Sequence, residues 1–364
     1  MAKKIFIAAT QQNDGKTTVS LGLIAALKKH FPRIGFIKPI GQRYLMEQGY
    51  KVDEDSVLIE HIFGIRCNIK DMSPVAIERG FTERFIEKGA AENYAKLIKD
   101  SYDRVAKDND LVIIEGTGHA GVGSVFGFSN ATVARLLDAN VIMISSGGVG
   151  KPIDEIMLNK ALLDKEGVNL AGVIVNKVLM EKYERISRLV KKGMEQKGLN
   201  VCAVLPHHVI LDIPTMREIK EELKIKALYE GDSLDRQAEK VMIGAMRVRD
   251  ALQYIQNNSL MIIPGDRDDM IHAACGVHSG KLKKGVSVSG VILSGGLLPK
   301  VRTLAMLKEA NIPVLTTEDE TYTIASRVHS MVVKIKPQDS HKIKIIVDMV
   351  DKHVDIDNVL KHIK

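Results

Sequence analysis

The chain has 364 residues, 45% of them hydrophobic and 4% aromatic, with 3 Cys and a formal charge of +7. This composition excludes a disulfide-stapled scaffold and predicts about two domains. The charge is spread along the chain without interleaved aromatic residues and no run of about 18 uncharged apolar residues occurs, so neither nucleic-acid binding nor a membrane span is expected. The three cysteines lie in apolar stretches and are never spaced as Cys-x-x-Cys, so we expect reduced thiols and a cytoplasmic protein. The apolar run after Lys4 is too short for a secretion signal.

The first part of the chain is predicted to be an α/β layer. Short apolar runs rich in Val and Ile, without alternation, are typical of parallel strands covered by helices on both faces. Such runs occupy residues 4–9, 33–37, 111–114, 141–145, 170–175 and 201–205. Between the first two, residues 19–27 place Leu and Ile at helical spacing. The pattern predicts an α/β layer fold with a parallel sheet flanked by helices.

A domain boundary is predicted near residue 228, which gives a first domain at 1–228 and a second at 229–364. The alternation of strands and helices weakens around Pro206 and Pro214. It resumes with strands at 260–263, 289–293 and 314–316 and helices at 270–277, 301–310 and 322–329. This pattern predicts a second, smaller α/β domain.

The most specific motif is the segment Ala-Thr-Gln-Gln-Asn-Asp-Gly-Lys-Thr-Thr at residues 9–18, between the first strand and the first helix. It resembles the phosphate loop of nucleotide triphosphatases (NTPases), in which unpaired N–H groups at a helix N-terminus hold phosphate oxygens. Lys16 is expected to reach the β- and γ-phosphates, and Thr17 to offer its hydroxyl to Mg²⁺. Thr10 stands where the common pattern has its first glycine. The alternative is a strand-to-helix turn in which Gly15 only permits an unusual backbone angle.

Charged residues follow other predicted strands. Glu115 ends the third strand, and because ligands of this fold gather beyond the carboxyl ends of strands, it is either a Mg²⁺ ligand or an acidic turn residue. Lys38 follows the second strand, where a lysine taken alone is more often a surface charge. Asp53, Glu54 and Asp55 precede an apolar helical run, so at least one of them either caps that helix or binds a metal.

A family resemblance is carried by five motifs in order: Gly15-Lys16-Thr17, Lys38-Pro39, Asp55, Glu115-Gly116 and the segment 172–177. These motifs resemble those of dethiobiotin synthetase and related ATP-dependent phosphate-loop enzymes, over most of the predicted first domain. The loops in which that enzyme holds its diamino acid differ here, at residues 40–43 and 117–121. The biotin precursor is therefore not an expected substrate.

The resemblance implies ATP and Mg²⁺ as cofactors. It implies that Lys16 and Lys38 are catalytic and contact phosphate and an activated carboxyl group. It also implies that Mg²⁺ is held by Thr17, Asp55 and Glu115, with Asp53 as an alternative to Asp55. The residues that it assigns to the nucleotide are Asn13, Asp14, Gly15, Lys16, Thr17, Thr18 and, at adenine, Asn176.

The second domain resembles the DRTGG domain, on the sequence Asp266-Arg267-Asp268 and the glycine pair Gly295-Gly296. This resemblance implies pairing into a homodimer. The glycine pair either lines a ligand site or forms a tight turn. The order of the two domains resembles the N-terminal part of long-form phosphotransacetylase. Because the chain ends where the acetyl-transferring domain would begin, we expect that it is not itself an acetyltransferase.

Three functions fit these motifs, and whether the chain is an enzyme stays open. The first is an Mg-ATP-binding regulatory protein, in which nucleotide binding controls a dimer or a partner enzyme. The second is an ATP-dependent ligase of the dethiobiotin synthetase or cobyrinate diamide synthase type, which transfers the γ-phosphoryl group to a carboxylate. The third is an interaction module with an inactive nucleotide site, favoured by the missing loop glycine and opposed by the intact residues 15–18.

Overall fold

The computed structural model describes residues 2–89, 93–231 and 234–363. The strands are β1 (Lys3–Ala9), β2 (Ile34–Ile37), β3 (Ile40–Gly41), β4 (Tyr44–Glu47), β5 (Tyr50–Asp53), β6 (Val75–Ala76), β7 (Leu111–Glu115), β8 (Val141–Ser146), β9 (Leu170–Val178), β10 (Val201–Pro206), β11 (Lys226–Tyr229), β12 (Lys240–Ile243), β13 (Ser259–Pro264), β14 (Val288–Ser294) and β15 (Val314–Thr316).

The helices are α1 (Lys16–Leu27), α2 (Glu54–Phe63), α3 (Ile69–Met72), α4 (Phe81–Lys88), α5 (Tyr94–Lys107), α6 (Asn130–Leu136), α7 (Gly150–Lys165), α8 (Tyr183–Glu195), α9 (Met216–Leu223), α10 (Val248–Ala251), α11 (Asp268–His278), α12 (Val301–Glu309), α13 (Thr321–His329), α14 (Ser340–His353) and α15 (Ile356–Leu360). Short 3₁₀ turns lie at Ser124–Phe126, Met180–Lys182 and Val209–Asp212. Within the described ranges, no helix is both long and apolar enough to cross a membrane.

The described residues form two units. The first runs to His208 and resumes at Ile335, and the second is Val209–Lys334. This division differs from the predicted boundary near residue 228 at both ends. Helix α9 lies in the second unit because its apolar residues Met216 and Ile219 enter the core of that unit. The C-terminal helices lie in the first unit because α14 packs on α1.

The first unit is built on a six-stranded sheet in the order β10-β9-β8-β1-β7-β2. All of its neighbouring strands pair in parallel, which confirms the predicted class of fold. Every residue of β2 and β7 is buried, as expected for strands covered on both faces. The order places β1 between β7 and β8, so the loop after β1 lies beside the ends of both neighbours.

Helix α1 is buried over most of its length because α14 covers it. The two helices approach closely at Gly22, where an added Cβ would lie 2.2 Å from a methyl carbon of Val350. Helix α14, whose residues Ile346, Met349 and Val350 are buried, was not among the predicted elements. Its pairing with α1 joins two segments from opposite ends of the chain.

The second unit has a five-stranded sheet in the order β11-β15-β14-β13-β12, with β11 antiparallel to β15 and the others parallel. Side chains alternate between its two faces along β13. Leu260 and Ile262 pack with apolar residues of α9 and α13, whereas Met261 and Ile263 pack with those of α11 and α12. This unit therefore has its own core and is the smaller α/β domain that the sequence predicted.

Candidate functional site

The loop between β1 and α1 is held by hydrogen bonds to the side chain of Asp14. This carboxylate accepts from the Thr10 hydroxyl at 2.9 Å, from the Gln11 backbone amide at 2.8 Å and from the Ser146 hydroxyl. Gly15 has φ +94°, a left-handed conformation that leads the chain into α1. Among the described side chains, none caps the N-terminus of α1. Its first N–H groups are therefore available to an anion.

Thr10, which replaces the first glycine of the common pattern, braces the loop. Its Oγ1 lies 3.0 Å from both Ser145 Oγ and Glu155 Oε2. Glu155, on α7, also accepts from Gln11 Nε2 at 2.6 Å. Glu155 was not predictable from the sequence, because it lies far from the loop along the chain and belongs to no motif. Thr10, the departure from the common phosphate-loop pattern, thus adds polar contacts that hold the loop.

Thr17, Asp55 and Glu115 meet at the N-terminus of α1. Thr17 Oγ1 lies 3.0 Å from Asp55 Oδ1 and 3.3 Å from Glu115 Oε1. The three residues come from the first turns of α1 and α2 and from the end of β7. The structure therefore brings together the residues that the resemblance assigned to Mg²⁺.

Asp53 has a different neighbourhood from Asp55. Its Oδ1 accepts a hydrogen bond from the Asp55 backbone amide at 3.0 Å and so caps α2. The same oxygen lies 2.8 Å from Lys38 Nζ. Of the two aspartates, Asp55 is the one that reaches Thr17. Asp53 therefore acts on Lys38 and on the start of α2.

Lys38 is a buried ammonium among carboxylates rather than a surface charge. Its side chain is only 9% exposed, and its Nζ contacts Asp53 and Asp55 and lies 3.8 Å from Glu115 Oε1. Burial opposes the charged form, but the three carboxylates outweigh burial and raise the pKa of Lys38 above its usual value. Lys38 thus remains protonated and partly neutralises the cluster.

The two carboxyl groups beside Thr17 ionise differently. Burial, supported by the charge of Asp55, raises the pKa of Glu115 to about 7. Burial also opposes ionisation of Asp55, but the Lys38 charge and hydrogen bonds from Lys38 and Thr17 hold its pKa below the usual value. Lys16 is also affected, since burial lowers its pKa. At neutral pH the cluster therefore holds an ionised Asp55 and a Glu115 close to its titration point.

The residues fit a hard cation such as Mg²⁺. Glu115 is fully buried, and its Oε2 has no hydrogen-bond partner among the described residues, which is uncommon for a carboxylate in a folded protein. The described residues contain no group of three or more His, Cys, Asp or Glu side chains arranged to hold a metal unaided. Two carboxylates and one hydroxyl are instead the partial set that Mg²⁺ completes with water and phosphate oxygens.

Asn176, near the end of β9, supports the loop from two strands away in the sheet. The residue is 3% exposed, and its Nδ2 donates to the Asp14 carbonyl at 2.9 Å. An added Cβ at Gly15 would lie 2.3 Å from this nitrogen. Asn13 is exposed in the loop with φ +66°, and Thr18 is half-buried in the first turn of α1. The expected contact of Asn176 with adenine stays a prediction.

In the second unit, the DRTGG-like residues form local contacts. The Arg267 guanidinium pairs with Asp269 at 2.8 Å and donates to the Met246 carbonyl at 2.9 Å. Gly295 and Gly296 both have positive φ, and an added Cβ at Gly296 would lie 2.3 Å from the Glu318 carboxylate. This geometry supports the tight turn among the two interpretations of the glycine pair.

Two family models match the chain. The first, described as AAA domain, matches residues 3–226, and the second, described as DRTGG domain, matches residues 218–331. They follow one another in the order expected from the sequence. Among solved structures, the MinC:MinD cell division complex of Aquifex aeolicus has 16% sequence identity and a TM-score of 0.37, and covers 58% of this chain and 84% of its own.

The curated relatives include phosphate acetyltransferases. That of Nitratidesulfovibrio vulgaris is 26% identical over 365 residues, which cover 98% of this chain and 51% of the relative. That of Pseudomonas putida is 27% identical over 366 residues, which cover 96% of this chain and 50% of the relative. The chain thus spans about half the length of the curated relatives it matches. This extent is consistent with the N-terminal part of the long form.

Proposed function

Because the chain belongs to the AAA domain family, we propose that its first unit binds Mg-ATP and thereby regulates pairing of the second unit or a partner enzyme. The observation that carries the proposal is the contact of the Thr17 hydroxyl with Asp55 and Glu115. This contact places the uncapped N-terminus of α1, which is suitable for binding phosphate, beside oxygen atoms that are suitable ligands of Mg²⁺.

In this proposal each residue has a defined task. Lys16 and the N–H groups at the start of α1 bind the β- and γ-phosphates. Thr17, Asp55 and Glu115 hold Mg²⁺, which supplies positive charge next to the phosphates. The residues that line the nucleotide are Asn13, Asp14, Gly15, Thr18 and, at adenine, Asn176.

The surroundings of Lys38 favour regulation over catalysis. A ligase of the dethiobiotin synthetase type would use this lysine on the activated carboxyl group of its substrate. Here the Lys38 ammonium already contacts Asp53 and Asp55, and its side chain is 9% exposed. The ligase is the second candidate, because Lys38 also lies 3.8 Å from Glu115 and hence beside the proposed Mg²⁺ ligands. Formation of a phosphorylated or amidated product from candidate carboxylates would favour the ligase.

The first experiment is calorimetric titration of Mg-ATP into the wild-type chain, with GTP as the control ligand. We expect saturable binding that prefers ATP, is lost in Lys16→Ala and is retained in Lys191→Ala. Lys191 is an exposed lysine on α8 that is not among the proposed nucleotide contacts, and it serves as the matched control. At about 100 times Kd, Mg-ATP should also add roughly 2.7 kcal/mol to the free energy of unfolding. If the wild-type chain is folded but does not bind Mg-ATP, both ATP-dependent functions are contradicted, and the interaction module is the remaining function.

A second experiment tests regulation. A ligand shifts an equilibrium between two arrangements only when it binds them with different affinity. Sedimentation velocity with and without Mg-ATP should therefore show a homodimer whose dissociation constant changes at least five-fold with the nucleotide. The Lys16→Ala variant should form the same dimer without this response. If the dissociation constant of the dimer does not change with Mg-ATP, the nucleotide does not regulate the dimer, and regulation of a partner enzyme is the form of the proposal that remains.

A further inference from the structure

A cleft that no motif in the sequence indicated lies in the first unit. It has a volume of about 640 Å³ and lies between the hairpin of β4 and β5 and the helices α4 and α5. We call it the basic cleft and define it by Tyr50, Lys70, Phe81, Arg84, Phe85 and Lys88. Its volume is in the range of pockets for small molecules, roughly 300–1,000 Å³.

Helix α4 supplies one wall of the basic cleft. Phe81, Arg84, Phe85 and Lys88 all line it. Their spacing of three, four and seven residues places them on one face of a helix. The wall therefore alternates aromatic rings with cations.

The lining is strongly positive. Its charged residues are Lys51, Lys70, Arg84 and Lys88 against the single carboxylate of Glu78. Glu78 is already paired with Lys51. None of the ion pairs found among the described residues uses the other three cations. The cleft therefore has three positive charges that an anion would neutralise.

The aromatic rings give the basic cleft flat apolar surfaces. Tyr50 is 45% exposed, and the Lys70 ammonium lies 5.6 Å from the centre of its ring. Across the cleft, the rings of Phe81 and Phe85 are stacked with 6.4 Å between their centres. Exposed rings are suitable for stacking against planar apolar groups, and ammonium groups beside them attract negative charge.

We propose that the basic cleft binds a small planar organic anion, such as an aromatic carboxylate or sulfonate. The ring of the ligand would lie against Tyr50 and Phe85, and its acidic group would face Lys70 and Arg84. The cleft is distinct from the nucleotide site, because neither residues 9–18 nor Lys38 is among its lining residues. The proposal therefore does not rest on ATP binding.

The test is a fluorescence titration of the full chain with 8-anilinonaphthalene-1-sulfonate, without nucleotide. The uncharged dye N-phenyl-1-naphthylamine has similar rings and reports on apolar binding alone. We expect one saturable site for the anionic dye in the wild-type chain. The double variant Lys70→Gln and Arg84→Gln should weaken it at least ten-fold and change the affinity of the neutral dye less than two-fold.

Lys99→Gln is the matched control, since Lys99 is exposed on α5 but does not line the cleft. It should leave both affinities unchanged. Circular dichroism shows whether each variant is folded, and the single variant Lys88→Gln, with an expected loss of about three-fold, replaces the double variant if the latter unfolds. The proposal is overturned if the anionic dye does not saturate, if the cleft variants bind it like wild type, or if Lys99→Gln weakens it equally.

Discussion

Glu115 shows how one buried residue can make stability depend on pH. Its pKa is raised to about 7 from an ordinary value of 4.5, mainly by burial. Between these two pH values the folded chain keeps a proton that the unfolded chain has lost. The folded state then binds more protons, so stability falls as pH rises through this window.

Glu115→Gln should remove this dependence, because the amide does not titrate. We subtract the free energy of unfolding of wild type from that of the variant, both without Mg²⁺. This difference should increase by about 1 to 3 kcal/mol from pH 5 to pH 8, because only wild type loses stability over this range. Urea unfolding in the presence of EDTA measures the difference between the two chains. A difference that is the same at both pH values would contradict the raised pKa.

The two aspartates before α2 should differ in their effect on Mg-ATP. Asp55 contacts Thr17, whereas Asp53 caps α2 and pairs with Lys38. Asp55→Asn should weaken Mg-ATP binding at least ten-fold, because it removes a proposed Mg²⁺ ligand. Asp53→Asn should weaken it less than three-fold, since Asn caps a helix as well as Asp does. Calorimetric titration of Mg-ATP into each variant measures the two affinities. An equal loss of affinity in both variants would contradict the assignment of Asp55, and not Asp53, as the Mg²⁺ ligand.

At the scale of elements, the contact of α1 with α14 can be tested by a pair of small substitutions. Alanine in place of a helical glycine normally stabilises a helix by about 1 kcal/mol. At Gly22, however, the new Cβ would lie 2.2 Å from a methyl carbon of Val350. We expect Gly22→Ala to lower the free energy of unfolding by about 1 to 3 kcal/mol, because the crowding outweighs the helix propensity.

Val350→Ala provides the matching half of a double-mutant cycle. Val350 is fully buried, so its truncation alone should cost about 2 kcal/mol. In the double variant the shorter side chain makes room for the new methyl group. The combined loss measured by urea unfolding should then be smaller than the sum of the single losses by at least about 1 kcal/mol. Strict additivity would mean that the two helices do not meet at this position.

The sequence predicted those elements whose pattern is local. Continuous apolar runs predicted β1 and β7, because buried parallel strands need no polar face. The phosphate-loop motif led to Thr17, the end of a predicted strand led to Glu115, and the resemblance selected Asp55 beside them. The burial of Lys38 was not predictable, because it depends on carboxylates that only the folded sheet brings together. Helix α14 was missed for the same reason, since its partner α1 lies at the other end of the chain.

At the scale of the whole molecule, the first unit is discontinuous in sequence. The chain leaves it after His208 and returns at Ile335. We call residues 335–363 the return segment. It is tied to the first unit by hydrogen bonds such as Tyr183 Oη to His353 Nδ1 at 2.9 Å and Asn140 Nδ2 to the His362 carbonyl at 2.8 Å. The stability of the first unit therefore depends on the last part of the chain.

Truncation after Lys334 should destabilise the first unit and spare the second. The return segment buries Ile346, Met349 and Val350, and burial of each such side chain contributes about 1.5 to 3 kcal/mol. Their loss is comparable with the whole stability of many domains, roughly 5 to 15 kcal/mol. The second unit keeps both of its own apolar clusters, which lie within 209–334.

Hydrogen exchange followed by mass spectrometry separates the two units in one experiment. In the truncated chain, amide protection should fall in β1, β7 and α1 and persist in β13 and β14. Ile346→Ala, which keeps the chain complete, should cause the same loss in milder form, about 2 to 5 kcal/mol in the first unit. If the amides of α1 stay protected in the truncated chain, α14 is not required for the folding of α1. The phosphate loop at the start of α1 would then not depend on the return segment.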